Sequence, residues 1–182
     1  MKKPPLYIRW VILLGAFCAG PAQAVTPLIF YTHDIVASSP GLKMFAAAMA
    51  YVNAPEGGDG VSLIVPTDSS CAMAGAEYPA ILDSYGARRF VEERSVAGSL
   101  QIMGVANDTR WPLYVQLRLG ESPWRFIKEG GTMVVTSVRG RAITVQIRDQ
   151  QVIVGGYKVK MDFNGAAGDG WVLVVDGCGR LS

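Results

Sequence analysis

Two glycine-containing turns in the second half of the chain decide most of what it can fold into. Val152-Ile153-Val154 and Tyr157-Lys158-Val159-Lys160-Met161 flank Gly155-Gly156. A two-residue glycine loop between apolar runs predicts a tight antiparallel hairpin. Thr132 to Val138 and Ala142 to Ile147 flank Arg139-Gly140, a second tight-turn pair. Ahead of them, Leu113, Val115, Leu117 and Leu119 alternate with Tyr114, Gln116 and Arg118, the pattern of a half-buried strand with one polar face. Gly168-Asp169-Gly170 opens a last strand, Trp171 to Val175. From about Leu100 onward the chain therefore reads as strands.

The first part reads differently. Pro27 to Val36 is a short helix by its apolar positions. Ser39 and Pro40 stand where an N-cap and a first helical residue belong, ahead of Leu42, Phe45, Ala46, Met49 and Ala50 at helical spacing. Pro55 and the cluster Gly57-Gly58-Asp59-Gly60 end that helix. Val61 to Val65 is a short buried strand that stops at Pro66-Thr67-Asp68, where Thr67 or Asp68 can cap the next helix. Pro79 to Arg94 reads as a further helix, weakened in its middle by Gly86. Helices first and strands after argue an α+β fold.

Residues 1–24 stand apart. Lys2, Lys3 and Arg9 precede an apolar run from Trp10 to Cys18, then Gly20-Pro21 and the triplet Ala22-Gln23-Ala24. That order predicts a secretory signal peptide with cleavage before Val25. The run is about half the roughly 20 apolar residues a membrane span needs. Phe17, bulky and just before Cys18, argues against a lipoprotein site. The expected organisation is a signal peptide over 1–24 and one domain over 25–182, in the periplasm or outside the cell, touching the membrane only in transit.

Export changes the charge argument. The chain carries 17 basic and 15 acidic side chains, and the first 24 residues hold three of the basic and none of the acidic ones. The remainder has 14 against 15, a net charge of −1. No nucleic-acid footprint is read from that. Two cysteines remain, Cys71 and Cys178, and in an oxidising compartment a pair is more often bridged than reactive. Two cysteines and the single His33 do not supply the four ligands of a structural zinc site.

Val61-Ser62-Leu63-Ile64-Val65-Pro66-Thr67-Asp68 resembles the first motif of fasciclin domains, a strand that runs into Ala-Pro-Thr-Asp or Asn before a helix. Asp169-Gly170-Trp171-Val172-Leu173-Val174-Val175-Asp176 is similar to the second, Asn-Gly-x-Ile-His-Val-Ile-Asp. Val152 to Val159 stands where the family has Val-x-Val-Asn-Gly, and Asp162 near its aspartate before the last strand. The resemblance covers the chain from about Pro27 to the end. It implies N-terminal helices packed on a β-sandwich or wedge formed largely by the C-terminal half. In the family the two motif strands lie near each other. Cys71 follows the first motif where a core phenylalanine is usual, and Cys178 follows the second. The resemblance therefore implies a Cys71–Cys178 disulfide.

Departures limit what carries over. Glu93-Arg94 occupies the place of the family's Tyr-His pair, and Leu173 that of its last-strand histidine. The segment from Gly104 to Gly131 is longer and richer in Trp and Arg than the family pattern, so integrin-type adhesion residues are not transferred.

No catalytic constellation is read. His33 and Asp34 are adjacent, so on a helix they point about 100° apart, and no G-x-S-x-G elbow occurs. The glycines at Gly57 and Gly155 lack phosphate-loop spacing. Asp59, Asp68, Asp162, Asp169 and Asp176 form no D-x-D-x-D-G loop. No cofactor or metal is expected. Trp111 and Trp124, beside Pro112 and Pro123, with Arg110, Arg118 and Arg125 nearby, are the candidate partner-binding residues, because Trp and Arg are enriched at binding hot spots. Trp171, in a predicted central strand, is expected in the core. The expected function is a non-enzymatic module that binds an envelope or extracellular protein or serves cell adhesion. The alternative is a carrier of an apolar small ligand such as a lipid or pigment.

Overall fold

The computed structural model describes residues 32–52, 60–74, 83–160, 165–167 and 170–182. The expected signal peptide lies outside the described residues, as do Asp59, Asp162, Asp169 and the start of the helix expected from Pro79. Four helices are described: α1 (Thr32–Ser38), α2 (Lys43–Met49), α3 (Asp68–Met73) and α4 (Ser84–Glu92). The strands are β1 (Val61–Pro66), β2 (Ser95–Ala97), β3 (Ser99–Met103), β4 (Tyr114–Arg118), β5 (Arg125–Ile127), β6 (Thr132–Thr136), β7 (Ala142–Arg148), β8 (Gln151–Val154), β9 (Tyr157–Lys158), β10 (Gly165–Ala167) and β11 (Gly170–Val175). The fold is mixed α/β, with mostly antiparallel strands in three sheets of order β10-β11-β1-β2, β3-β4-β5 and β6-β7-β8-β9.

The parallel pair β1–β11 is the centre of the molecule. Leu63 faces Val172, Ile64 faces Leu173 and Val65 faces Val174 in register. Because side chains alternate along a strand, this pair supplies two cores. Leu63, Val65, Val172 and Val174 pack with Val36, Phe45, Phe90 and Val91 of the helices. Ile64, Leu173 and Val175 point the other way, into a cluster with Val115, Val135, Ile143, Val145 and Val152. Both strands are therefore apolar at successive positions, as a sheet covered on two sides requires. Ile64 is fully buried, and truncating such a side chain to alanine costs about 2–5 kcal/mol.

The second core is closed by bent strands. Gly98 separates β2 from β3 with φ +91°, and a Cβ there would lie 2.3 Å from the Arg118 carbonyl oxygen. Only glycine lets the chain leave β1 and turn onto β4 at this corner. At the other sheet, the bridges Val96–Ser137 and Val159–Val175 join the residue after β6 to β2 and the segment after β9 to β11. The two hairpins expected from Arg139-Gly140 and Gly155-Gly156 are β6–β7 and β8–β9.

One helix start departs from expectation. Ser39 does not cap α2. Its hydroxyl donates to the Ile35 carbonyl at 2.6 Å and so finishes α1. The first turn of α2 is instead served from a distance, since Asp68 accepts from the Lys43 and Met44 backbone N–H groups at 3.0 and 2.9 Å. A carboxylate there also meets the positive end of the helix. Thr67 caps α3 by accepting from Ser70 N–H at 3.2 Å. The Thr-Asp dipeptide thus starts two helices, one with each side chain. Asp83 caps α4 through Gly86 N–H, which gives Gly86 a place in the first turn rather than mid-helix. Cys71 and Cys178 form a disulfide with Cα atoms 4.8 Å apart, tying α3 to the segment after β11.

Candidate functional site

The β3–β4–β5 sheet buries one face and exposes the other. Leu100, Ile102, Val115 and Leu117 enter the core. Alternation then puts Gln101, Met103, Tyr114, Gln116 and Arg118 on the outer face. Gln116 Nε2 donates to Gln101 Oε1 at 2.6 Å, and Gln101 Nε2 to Ser99 Oγ at 2.7 Å, so this polar row is internally fixed. Phe126 stands opposite Gln116 on β5 and is 64% exposed. Trp124 enters β5 two residues earlier, with the Arg118 guanidinium 5.1 Å from its ring centroid. A cation at that range over an exposed indole contributes about 0.5–1 kcal/mol. That contact favours one mutual arrangement of the two side chains.

The Trp and Arg residues expected as a binding set do not form one cluster. Trp124 and Arg118 lie at the C-terminal end of β4, with Phe126 beside them. Trp111 and Arg110 lie on the loop before β4, beyond its other end. Arg118 is four positions beyond Tyr114, about 13 Å of extended strand. Arg125 pairs in register with the inward-facing Leu117, so it projects at the sheet edge on the side away from Phe126. Trp171 is half-buried on β11 rather than enclosed.

Trp111 has its own support. Asp108 Oδ1 accepts from the backbone N–H of Arg110 at 2.8 Å and of Trp111 at 3.2 Å, a local turn of the kind aspartate favours. Gly104 (φ +85°) lets the loop close, since a Cβ would lie 2.3 Å from the Pro112 carbonyl oxygen. The resulting tip leaves Trp111 69% exposed. Arg110 Nε lies 3.9 Å from Asp108 Oδ1, both at the surface, where such a pair contributes about 0–1 kcal/mol.

Arg94, in the place of the family's histidine, is buried. Its guanidinium lies 3.9 Å from the Phe90 ring centroid and donates to the Phe90, Cys178 and Gly179 carbonyl oxygens. It is occupied in holding the chain together. His33 lies in α1, and its side chain is outside the described residues. Asp176 is a turn anchor, accepting from Lys158 N–H at 2.8 Å. Among the described residues no group of three or more His, Cys, Asp or Glu converges as metal ligands, and no helix is long and apolar enough to cross a membrane.

No family model matches the chain, and no curated protein matches it.

Phe126, exposed on the outer face of the β3–β4–β5 sheet, is not among the residues expected from the sequence. Its signal is the alternation Trp124-Arg125-Phe126-Ile127, but four residues bounded by Pro123 and Lys128 are too short to separate a strand from a loop.

Proposed function

We propose that this chain is an exported, fasciclin-like binding module. Its contact surface is the outer face of β3–β4–β5 around Trp124, Arg118 and Phe126, and its partner is a protein of the envelope or the extracellular space. The observation that carries the reading is the pre-positioned Trp124–Arg118 pair beside the exposed Phe126. Aromatic and arginine side chains on a fixed platform are the composition of an interface hot spot. The fasciclin likeness draws support from the placement of its two motif strands as parallel neighbours, Leu63 opposite Val172 through Pro66 opposite Val175. The Cys71–Cys178 bridge that the resemblance implied supports it too. A disulfide also suits an oxidising compartment outside the cytoplasm.

The test is capture of partners from an envelope extract by the tagged, exported chain, identified by mass spectrometry, with a Trp124→Ala/Phe126→Ser variant alongside. A protein held by the native chain and lost from the variant supports the reading. Identical captures, with the variant folded, overturn it.

A further inference from the structure

Glu92 and Glu93, at the end of α4, hold four arginines between them. Arg88 Nε approaches Glu92 Oε1 at 2.6 Å, and Arg139 Nη1 approaches Glu92 Oε2 at 3.1 Å. Arg89 Nε approaches Glu93 Oε1 at 2.9 Å, and Arg141 Nη1 approaches Glu93 Oε2 at 3.2 Å. Each carboxylate oxygen is used once. Among the described residues, two negative charges therefore face four positive ones, and the cluster keeps an excess of two.

Support of the helix does not account for that excess. An i,i+4 pair needs one arginine per glutamate, and Arg88 and Arg89 already supply it. Arg139 and Arg141 come from another element, the β6–β7 turn. Arg88 and Arg89 donate to these carboxylates from Nε, and their side chains are 65% and 54% exposed, which keeps the edge formed by the two Nη groups available. That planar edge is the fork that grips a carboxylate with two parallel hydrogen bonds. Tyr85 is 65% exposed, with its ring centroid 5.9 Å from Arg139 Cζ, and Val138 beside Arg139 is 55% exposed.

We propose that this face of α4 and the β6–β7 turn docks an acidic protein segment, one with clustered Asp or Glu side chains. Charge complementarity supplies the attraction. The glutamates hold the guanidinium planes at fixed spacing, which selects carboxylates at matching spacing over diffuse negative charge. Tyr85 and Val138 give an apolar side chain of the same segment somewhere to rest. This site is separate from the Trp124 face and does not rest on that reading.

The probe is a fluorescent glutamate-rich peptide, titrated with the purified exported chain and read by anisotropy at low and at near-physiological salt. Binding is expected, and is expected to weaken as salt screens the charges. Arg88→Glu/Arg89→Glu should weaken it by at least about tenfold, because like charges would then face each other. Trp124→Ala should leave it unchanged, so failure here and failure of the aromatic-face reading are told apart. Absence of peptide binding overturns the proposal, as does native affinity in the charge-reversed variant. Tighter binding to phosphatidylglycerol vesicles than to the peptide also overturns it, in favour of a lipid surface. Should the reversed variant fail to fold, Arg88→Gln/Arg89→Gln replaces it, and native affinity in that variant is equally fatal.

Discussion

Arg94 donates from Nη2 to the carbonyl oxygen of Cys178 at 2.8 Å, across 84 positions of sequence. The same nitrogen reaches the Gly179 carbonyl at 2.7 Å, while Nη1 reaches Phe90 at 3.3 Å. One buried guanidinium thus joins the end of α4 to the segment after β11, a few atoms from the disulfide that fastens that segment to α3. Its planar fork suits several carbonyls at once, which an ammonium does less well. Arg94→Met keeps an apolar chain of similar reach but removes the donors and the guanidinium over the Phe90 ring. It should lower stability by about 1–3 kcal/mol, the range for leaving buried acceptors without a donor. Arg94→Lys should recover only part of that. Urea titration of both variants checks it, and an unchanged midpoint for Arg94→Met would sink the idea.

The disulfide should contribute more. It spans 107 positions, and a loop of that size corresponds to about 4–5 kcal/mol in the chain-entropy model, as an upper guide. Reduction, or Cys71→Ser with Cys178→Ser, should shift the denaturation midpoint accordingly. The exported chain, unfolded without reductant, should show no reactive thiol. Two labelled thiols per chain would contradict it.

Asp68→Ala should cost about 1–2 kcal/mol, the usual effect of losing a helix cap. Amide exchange should accelerate at Lys43 and Met44, whose N–H groups it accepts. Unchanged protection at those two amides would refute the long-range cap.

Glu92 gives the fold a share of its acid sensitivity. The hydrogen bond from Arg88 holds its carboxyl below the ordinary carboxylate range, with the charges of Arg88 and Arg139 acting the same way and burial opposing them. A depressed folded-state value means stability present above the unfolded-state value, about 4.3, and lost as pH falls from there through the lower folded one. Glu92→Gln should therefore flatten the fall in stability below about pH 4.3, measured by denaturation across a pH series. A fall as steep as in the native chain would count against this.

How much of this was legible depends on how far the cause lies from its effect along the chain. Gly155-Gly156 and Arg139-Gly140 announced their hairpins because a tight turn is decided by the residues inside it. Thr67 as a cap was legible for the same reason. The cap on α2 was not, because its acceptor, Asp68, is 24 positions beyond Met44, and local reading assigned Ser39 instead. The adjacency of β1 and β11 left no trace in periodicity, since a strand covered on both faces shows only a continuous apolar run. It was reached through family resemblance. Arg94 stands at a family position, but nothing local in the sequence marks it as buried, because arginine is ordinarily a surface residue. Trp111 and Trp124 read as one set in the sequence, and the structure puts them at opposite ends of β4. Thirteen positions of sequence do not reveal that β4 runs between them.

Because β4 separates them, Trp111 and Trp124 should contribute to binding independently. Trp124 shares the outer face of the sheet with Arg118 and Phe126, whereas Trp111 stands on a loop tip held by Asp108. Trp124→Ala should weaken partner binding by about 2 kcal/mol or more, the usual threshold of a hot spot, or roughly 30-fold. Phe126→Ala should fall in the same class. Arg118→Ala should act partly through loss of Trp124 orientation, so the Arg118/Trp124 double variant should bind better than the two single losses would sum to. Residues more than about 7–10 Å apart with no shared partner behave additively within about 0.5 kcal/mol. Trp111→Ala and Trp124→Ala should therefore sum in the double variant, whatever the size of the first. A double-mutant cycle by titration calorimetry on the captured partner measures both couplings. Strong coupling between Trp111 and Trp124, with none between Arg118 and Trp124, would show that the partner bridges both ends of β4 and that the platform is not the unit of recognition.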